Sequence, residues 1–442
     1  MKFIATCLFT FIFAVSVSAQ TVTQILAKAN GQNYTAADLP ADLRESYLKL
    51  AKNSLDARRV LFNNQLAEIL LETEAKVRKI SVDDLIKTVT SKVANPTEKQ
   101  IQDVYDKNRD ALGGRSLEQV REQIIAFLRS DGEQRALSVF VMSLGKKYKA
   151  LIFKDVNARA LKPADILATV NGRNITAAAF ETKNRVALYE QKADVFDDVK
   201  LALEEKIYDA LVVAEAKSQK IDASDLIARE ISDKLRDFTD DERESLEADF
   251  RRKLFTKYNV QFFLKEPAPL VLPISVDDDP SRGSATAPVT VVMFSDFQCS
   301  VCAATHPVLQ RVLAEYTSEQ VRFVVRDFPL EQIHENAFLA ATAANAAHKQ
   351  GKFFEFTEVL YRNQNALDKE SLKKYATDLG LNLAQFELDL QSAPNAAEIR
   401  KDMADGETYG INGTPTIYVN GVKVRRNNAE YFRAAIDKVL KK

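Results

Sequence analysis

Two of the chain's three cysteines, Cys299 and Cys302, form a C-x-x-C motif in the stretch FQCSVCAATHP at 297–307. The motif lies between a strand-like run and a helix-like run. Two thiols at this spacing can exchange a disulfide with another thiol, form half of a zinc site, or make a structural disulfide. The rest of the sequence must distinguish these three chemistries.

A structural zinc site needs about four ligands. Apart from the pair, the chain offers one more cysteine and three histidines, none of them in a second paired motif. A structural disulfide across two residues would close a loop too short to restrict much of the unfolded chain. Redox exchange is therefore the favoured chemistry, and no metal or other cofactor is predicted. We interpret His334 and His348 as structural side chains. His306, four residues after Cys302, is interpreted as a packed helix histidine, with an approach to the cysteine pair as the alternative.

The first twenty residues, MKFIATCLFTFIFAVSVSAQ, place one lysine before an apolar run from Phe3 to about Val17 and then small residues. This pattern predicts a secretory signal peptide over 1–19, with an uncleaved anchor as the alternative. Its removal would also remove Cys7 and leave the C-x-x-C pair as the chain's thiols. We therefore expect a periplasmic or secreted protein, in a compartment where disulfides persist.

Length and charge limit the remaining function classes. The chain has 442 residues, which is too long for one ordinary core, so several domains are expected. Lysine and arginine number 61 against 62 aspartates and glutamates. Without a basic surplus, a nucleic-acid partner is not predicted.

A repeat occupies the first half of the chain. ILAKANGQNYTAA at 25–37 and ILATVNGRNITAA at 166–178 are identical at nine of thirteen positions, and EAKVRKISVDDLI at 74–86 pairs with EAKSQKIDASDLI at 215–227 at the same offset. Helical apolar patterns lie between these blocks. Each Asn-Gly predicts a tight turn that leads into a helix cap. The late match of KKYKALIFK with TKYNVQFFLK, from residue 256, comes at a smaller offset, so the second copy is shorter.

These motifs, together with PTEKQIQDVYDKNRD, resemble the N-terminal helical module of SurA-type and other parvulin-type periplasmic chaperones. No segment resembles the parvulin isomerase domain itself. The resemblance implies modules that bind unfolded clients. Helical bundles that act as a spacer or as a dimerisation unit are the alternative.

The repeat ends before EPAPLVLPISVDDDPSRGSATAP, whose prolines and three consecutive aspartates forbid a continued helix. The predicted domains are a signal peptide at 1–19, a first helical chaperone-like module at 20–158, a second and shorter one at 159–265, and a separate domain at 266–442.

The last domain alternates strand and helix patterns. VTVVMFS at 289–295 suits a buried parallel strand, a helix pattern starts at Cys299, and VRFVV at 321–325 predicts another strand. A long helical stretch follows, then a hairpin around Asn420-Gly421 and a closing helix at about 429–440. The order is β-α-β, a helical insertion, then β-β-α.

This order, with C-x-x-C at the first strand-to-helix junction, resembles the thioredoxin fold, and the insertion makes it similar to DsbA-like proteins. VVRDFPL at 324–330, HKQGKFFEFTEVLYRNQ at 348–364 and GINGTPTIYVNG at 410–421 follow that family in order and spacing. The resemblance implies an α/β thioredoxin fold with a helical insertion and a thiol:disulfide oxidoreductase activity. It also implies that the Thr414-Pro415 peptide is cis, lies against the active-site sulfurs and contacts bound substrate peptides.

The position of each cysteine predicts its role. Cys299 lies at a helix N-terminus, where unpaired N–H groups and the positive end of the dipole favour a thiolate, so it is the predicted nucleophile. Cys302, one turn inside the helix, is the predicted resolving thiol. Exchange then proceeds through a mixed disulfide with a substrate cysteine.

The direction of electron flow is less well specified. Strong oxidants of this family carry a histidine between the cysteines, whereas this chain has the uncharged pair Ser300-Val301. The buried acid of many thioredoxin folds would fall on Met293, and Asp296 could face elsewhere. Oxidation is the preferred hypothesis, and the alternatives are a reductase or isomerase, or mainly a holdase chaperone. The predicted partners are exported cysteine-containing proteins and a membrane redox partner that resets the pair, with a homodimer as a further hypothesis.

Overall fold

The computed structural model describes residues 21–441 of the chain. The predicted signal peptide and Cys7 lie outside the described residues. The described residues divide into two compact units: one consists of Leu50–Leu188, and the other combines the described residues up to Lys49 with those from Tyr189 onward. No helix among the described residues is both long and apolar enough to cross a membrane.

The N-terminal region is mostly helical, as predicted. Its six strands are short: β1 (Ile25–Ala29), β2 (Gln32–Thr35), β3 (Leu151–Ile152), β4 (Ile166–Val170), β5 (Arg173–Thr176) and β6 (Gln261–Phe262). Its α-helices are α1 (Ala41–Leu48), α2 (Leu50–Arg78), α3 (Val82–Thr90), α4 (Glu98–Lys107), α5 (Leu117–Lys147), α6 (Ala177–Gln219), α7 (Ala223–Glu230) and α8 (Asp240–Lys257).

Both Asn-Gly blocks form the predicted tight turns. Asn30 and Gly31 have φ values of 47° and 76°, and Asn171 and Gly172 have 48° and 78°. Positive φ at both central residues is typical of the two-residue hairpin turn that matches strand twist. After the first hairpin, Thr35 caps a short helical turn and forms a capping box.

In the unit formed by Leu50–Leu188, strands β3, β4 and β5 make an antiparallel sheet. Its apolar face packs on α2 and α5, because Leu167 and Val170 share one buried core with Phe62 and Leu144. The second repeat's hairpin therefore covers the first repeat's helices.

The reverse exchange occurs in the other unit. There β1 pairs with both β2 and β6, so the first repeat's hairpin completes its sheet with the strand that ends the second repeat. Leu26 and Tyr34 share a core with Val199 and Leu203 of α6. A two-stranded hairpin cannot bury its apolar face alone, which explains the exchange. As a result the compact units divide the helical region differently from the predicted repeat boundaries at 158 and 265.

The two helical cores contain the same buried ionic contact. Glu74, whose side chain is 2% exposed, accepts hydrogen bonds from Lys147 and Tyr148, each at 2.6 Å. Glu215 does the same with Lys257 at 2.6 Å and Tyr258 at 2.8 Å. The Lys147 ammonium and the Tyr148 hydroxyl lower the pKa of Glu74 to about 2. The Lys-Tyr pair recurs in both copies of the repeat. In each copy the pair binds the glutamate at the equivalent position, Glu74 or Glu215.

The C-terminal region mixes strands and helices. Its strands are β7 (Ser281–Arg282), β8 (Val289–Ser295), β9 (Val321–Asp327), β10 (Thr416–Val419) and β11 (Val422–Lys423). Its helices are α9 (Ser300–Leu313), α10 (Ala337–His348), α11 (Phe353–Arg362), α12 (Lys369–Asp378), α13 (Leu383–Leu390), α14 (Ala393–Thr408) and α15 (Ala429–Leu440).

These strands form one sheet in the order β11-β10-β8-β9-β7, in which β8 and β9 are parallel and β10 runs antiparallel to β8. The predicted order β-α-β, helical insertion, β-β-α is confirmed, with α10–α14 as the insertion and with β7 as an additional short strand at the start. Strand β8 is buried along almost its whole length, which suits its β-branched sequence. The C-terminal region has the thioredoxin fold.

A buried charge network joins β9 to α14. The Arg326 side chain is fully buried, and its guanidinium donates to Asp402 at 2.9 Å and to Asp405 at 2.9 Å. Asp279, from the aspartate run before the domain, lies 3.1 Å from the same guanidinium. The aspartate run thus contributes to the domain as well as ending the helical region.

Candidate active site

The cysteines lie at the junction that the sequence predicts. Strand β8 ends at Ser295, a short turn follows, and Cys299 is the N-cap residue of α9. The backbone N–H of Cys299 donates to the carbonyl of Asp296 at 3.2 Å, which closes the turn. Both thiols are free and buried, Cys299 being 6% exposed and Cys302 fully buried.

The two sulfurs have opposite electrostatic environments. A hydrogen bond from Cys302, together with backbone N–H groups of the helix start, lowers the pKa of Cys299 from about 9 to about 5. Burial raises the pKa of Cys302 well above the range of an ordinary thiol. At neutral pH the pair therefore holds one thiolate and one thiol, which favours Cys299 as the nucleophile and Cys302 as the resolving cysteine.

The structure brings the distant Thr414-Pro415 dipeptide to this pair. Its peptide bond is cis, as the resemblance implies. The Cys299 sulfur lies 3.5 Å from the Thr414 carbonyl oxygen, and Thr414 also helps to lower the pKa of Cys299. A substrate peptide that reaches Cys299 would thus meet the backbone just before Pro415.

The helical insertion holds the cysteine turn from one side. The Gln364 side-chain amide, which follows α11, donates to the carbonyl oxygens of Phe297 at 3.0 Å and Cys299 at 2.8 Å. The backbone N–H of Asn336 donates to the Gln298 side chain at 2.7 Å. The sequence interpretation missed Gln364, because a lone glutamine 65 residues away in the chain has no local pattern that marks it.

Asp296 stabilises the turn between β8 and α9. Its buried carboxylate accepts hydrogen bonds from the backbone N–H groups of Gln298 at 2.7 Å and Leu330 at 2.8 Å, and it lies 2.8 Å from Nδ1 of His334. Asp296 and His334 therefore support the turn together. This contact gives a structural role to His334, in line with its interpretation from sequence.

His306 packs behind the pair. Its ring lies 4.8 Å from that of Tyr361, and burial lowers the pKa of His306, so it stays neutral at pH 7. At position 293, where many thioredoxin folds place a buried acid, Met293 is fully buried in the core. A buried carboxylate is therefore missing from that position.

Among the described residues, one group of carboxylates has metal-like spacing: Asp277, Asp279 and Glu398 lie with their oxygens within 4.8 Å of one another. It contains no cysteine. Lys401 pairs with Asp277 and Arg326 with Asp279, so cations of the chain already lie against these carboxylates.

Comparison with known proteins places the similarity in this domain. Residues 275–438 match a protein-family model described as Thioredoxin. Na(+)/H(+) antiporter NhaA 3 of Salinispora tropica is 39% identical over 162 residues, which are 37% of this chain and 24% of that protein. Na(+)/H(+) antiporter NhaA of Herminiimonas arsenicoxydans is 33% identical over 159 residues, 36% of this chain and 25% of that protein. The chain thus spans about a quarter of the length of these relatives.

Two solved structures are similar to part of this chain. A thioredoxin-like oxidoreductase from Silicibacter pomeroyi is 28% identical, covers 37% of this chain and 93% of its own, and has a TM-score of 0.34. Oxidised BdbD from Bacillus subtilis is 23% identical, covers 40% of this chain and 100% of its own, and has a TM-score of 0.36. The fold assignment rests on the family match and the observed topology. The chaperone resemblance of 20–265 stays a prediction.

Proposed function

We propose that this chain is an exported thiol:disulfide oxidoreductase that exchanges a Cys299–Cys302 disulfide with cysteines of other proteins. The observation that carries the proposal is the asymmetric pair: a thiol whose pKa is lowered to about 5 at the N-terminus of α9, next to a buried thiol whose pKa is raised. The cis Thr414-Pro415 bond beside this pair adds a place for the substrate backbone.

The exchange has two steps in the oxidising direction. A substrate thiolate attacks the Cys299 sulfur of the internal disulfide, and Cys302 leaves with the electron pair. A second substrate thiolate then attacks the substrate sulfur of the mixed disulfide, and Cys299 leaves as a stabilised thiolate. The substrate gains a disulfide and the enzyme ends as a dithiol.

Oxidation is the direction that the environment of Cys299 supports. A lowered pKa stabilises the thiolate and hence the reduced protein, which makes the disulfide a better oxidant. A membrane redox partner would then have to reoxidise the pair. Without histidine between the cysteines, we expect a potential less extreme than the about −120 mV of the strongest oxidants.

The helical region would bind unfolded clients. Several large apolar side chains of α5 are exposed, among them Phe127 at 68%, Val139 at 61% and Met142 at 59%. Exposed apolar side chains of this kind can contact unfolded chains. They would also suit a second copy of this chain, which is the alternative occupant.

The reduction potential against glutathione tests the proposal, measured on the full chain with Cys7→Ser so that two thiols remain. We expect a reversible two-electron couple between about −120 and −200 mV. A value near the about −270 mV of thioredoxin would favour a reductase. If Cys299→Ala suppresses client aggregation as well as the parent and the parent shows no turnover in a thiol-dependent assay, a holdase chaperone is the better description.

A further inference from the structure

The exchange requires negative charge on a sulfur that the fold buries. Cys302 must leave as a thiolate when its disulfide is opened, or become one when it attacks a mixed disulfide. It is fully buried, and burial raises its pKa. Met293 supplies no acid or base there. Some other polar group must therefore stabilise the charge.

Two hydroxyls are candidates to stabilise this charge, one on buried Ser295 and one on partly buried Tyr361. The first belongs to Ser295, the last residue of β8, which is 1% exposed. Burial raises the pKa of Cys302, and the Ser295 hydroxyl, together with Thr414 and the Asp296 backbone, acts against this rise as a hydrogen-bond donor. The second belongs to Tyr361 of α11, whose hydroxyl oxygen lies 2.6 Å from that of Ser295. Packing fixes the Tyr361 ring, because its centroid lies 5.4 Å from the Phe297 ring and 4.8 Å from the His306 ring.

The number of available protons decides which hydroxyl donates in the contact between Ser295 and Tyr361. Each hydroxyl has one proton to donate. If Tyr361 donates to Ser295, the Ser295 proton is free to point at the Cys302 sulfur. Burial and the nearby Cys302 raise the pKa of Tyr361 far above neutral, so its hydroxyl keeps the proton that this arrangement needs.

We propose that Ser295 and Tyr361 form a hydroxyl chain that donates a hydrogen bond to the Cys302 sulfur as it becomes a thiolate during exchange. In this scheme Ser295 is a catalytic residue, because it touches a reacting atom, and Tyr361 is a positioning residue that acts through Ser295. The inference rests on the proposed function.

The step it assists is balanced. When a mixed disulfide between Cys299 and a substrate is resolved, a Cys302–Cys299 bond forms and the Cys299–substrate bond breaks. The electron pair leaves on the substrate sulfur, which takes up one proton, and Cys302 gives up one. In the reverse direction Cys302 is the leaving thiolate. The hydroxyl chain stabilises the same charge in both directions.

Tyr361→Phe tests the proposal in the full chain with Cys7→Ser. Oxidised glutathione serves as the probe, since it forms a mixed disulfide with Cys299 that Cys302 then resolves. The substitution keeps the ring and its packing but removes the hydroxyl. We expect unchanged formation of the mixed disulfide and resolution slower by about two- to tenfold, the worth of one hydrogen bond.

Three variants separate this role from a structural one. Tyr375→Phe removes a tyrosine hydroxyl that donates instead to the Ala366 carbonyl in the same insertion. We expect this variant to form and to resolve the mixed disulfide at the same rates as the parent. Ser295→Ala should slow resolution, and Ser295→Thr should restore it. The double variant of Ser295→Ala and Tyr361→Phe should be no slower than Ser295→Ala alone, because Tyr361 acts through Ser295.

The outcomes that contradict the proposal are distinct. Resolution at the parent rate in Tyr361→Phe, an equal slowing of both steps, or additive effects in the double variant would overturn the hydroxyl chain and leave the oxidoreductase proposal standing. A parent protein that forms no mixed disulfide with glutathione would overturn both.

Discussion

At the scale of single residues, two sulfurs of one motif are placed in opposite environments. Cys299 caps a helix and receives hydrogen bonds, whereas Cys302, three residues later, is fully buried. The position in the helix produces this difference, because the N-cap residue lies beside the unpaired N–H groups of the helix start, whereas Cys302 lies one turn inside and is fully buried. The chemistry of the pair depends on that asymmetry.

The reactivity of Cys299 should follow its lowered pKa. A thiolate is the reactive form, so alkylation by iodoacetamide should rise with pH through about 5 and level off before pH 7, whereas an ordinary thiol would rise through about 9. The measurement is the alkylation rate against pH in the reduced full chain with Cys7→Ser.

Cys302 variants provide the control for that profile. The hydrogen bond from Cys302 is the largest cause of the shift, so Cys302→Ala should move the midpoint upward, and Cys302→Ser, which keeps a donor, should move it less. A midpoint that stays near 5 in Cys302→Ala would contradict this cause.

At the scale of elements, the helical insertion does more than enlarge the domain. The insertion supplies Gln364, and the segment that leads into it supplies His334 and the Asn336 N–H; all three contact the turn between β8 and α9. Because these groups hold the residues before Cys299 and its own carbonyl oxygen, they fix the position of Cys299. We therefore expect substitutions in the insertion to alter the reactivity of the sulfur.

Gln364→Met should raise the pKa of Cys299 by up to about one unit. The variant keeps the side-chain length but leaves the Phe297 and Cys299 carbonyl oxygens without the amide donor, so less positive potential surrounds the thiolate. The alkylation profile against pH measures the shift.

Gln385→Met is a matched control, because the Gln385 amide donates to Asp389 on α13 instead. We expect this variant to show the same dependence of alkylation rate on pH as the parent. An unchanged profile in Gln364→Met, or equal shifts in both variants, would show that the Gln364 contacts do not tune Cys299.

At the scale of the whole molecule, one arginine ties the helical region to the thioredoxin domain within the same compact unit. Arg425, after β11, contacts three carboxylates on one face of α6: Glu190 at 2.7 Å, Asp197 at 2.5 Å, and Asp194. The Arg425 side chain is 17% exposed, so its ion pairs are only partly screened by water. The spacing of the carboxylates, four and then three residues, is that of one helical face.

Arg425→Met should loosen this contact at a cost of about 1–3 kcal/mol, because three carboxylates lose their common cation. We expect faster hydrogen exchange at residues 189–200 of α6, with the midpoint of the Cys299 profile unchanged. The difference in hydrogen exchange between the variant and the parent should shrink in 0.5 M NaCl. Salt at this concentration shortens the Debye length to about 3–5 Å and so weakens the ion pairs in the parent.

Arg433→Met is the control for Arg425→Met. Arg433 pairs with Glu315 inside the thioredoxin domain and is 41% exposed, so its loss should leave exchange in α6 as in the parent. Equal protection of α6 in Arg425→Met and the parent would contradict the role of the arginine.

Much of the fold follows from local patterns. The β-branched run VTVVMFS became β8 with its predicted bounds, the Asn-Gly blocks became hairpin turns, and the insertion is helical. These features depend on neighbouring residues, so periodicity and turn chemistry are sufficient to predict them. The proposed roles of Cys299 and Cys302 follow in the same way from their positions at the start of one helix.

Contacts between distant residues could not be predicted in this way. The exchange of hairpins between the repeats, the hold of Gln364 on the cysteine turn and the Ser295–Tyr361 hydroxyl contact all join residues far apart in sequence. Neither partner has a local pattern that marks it, because only packing decides which polar groups meet once water is excluded. The sequence alone therefore specifies the C-x-x-C pair and the order of the elements around it, and the tertiary structure decides which groups surround the two sulfurs.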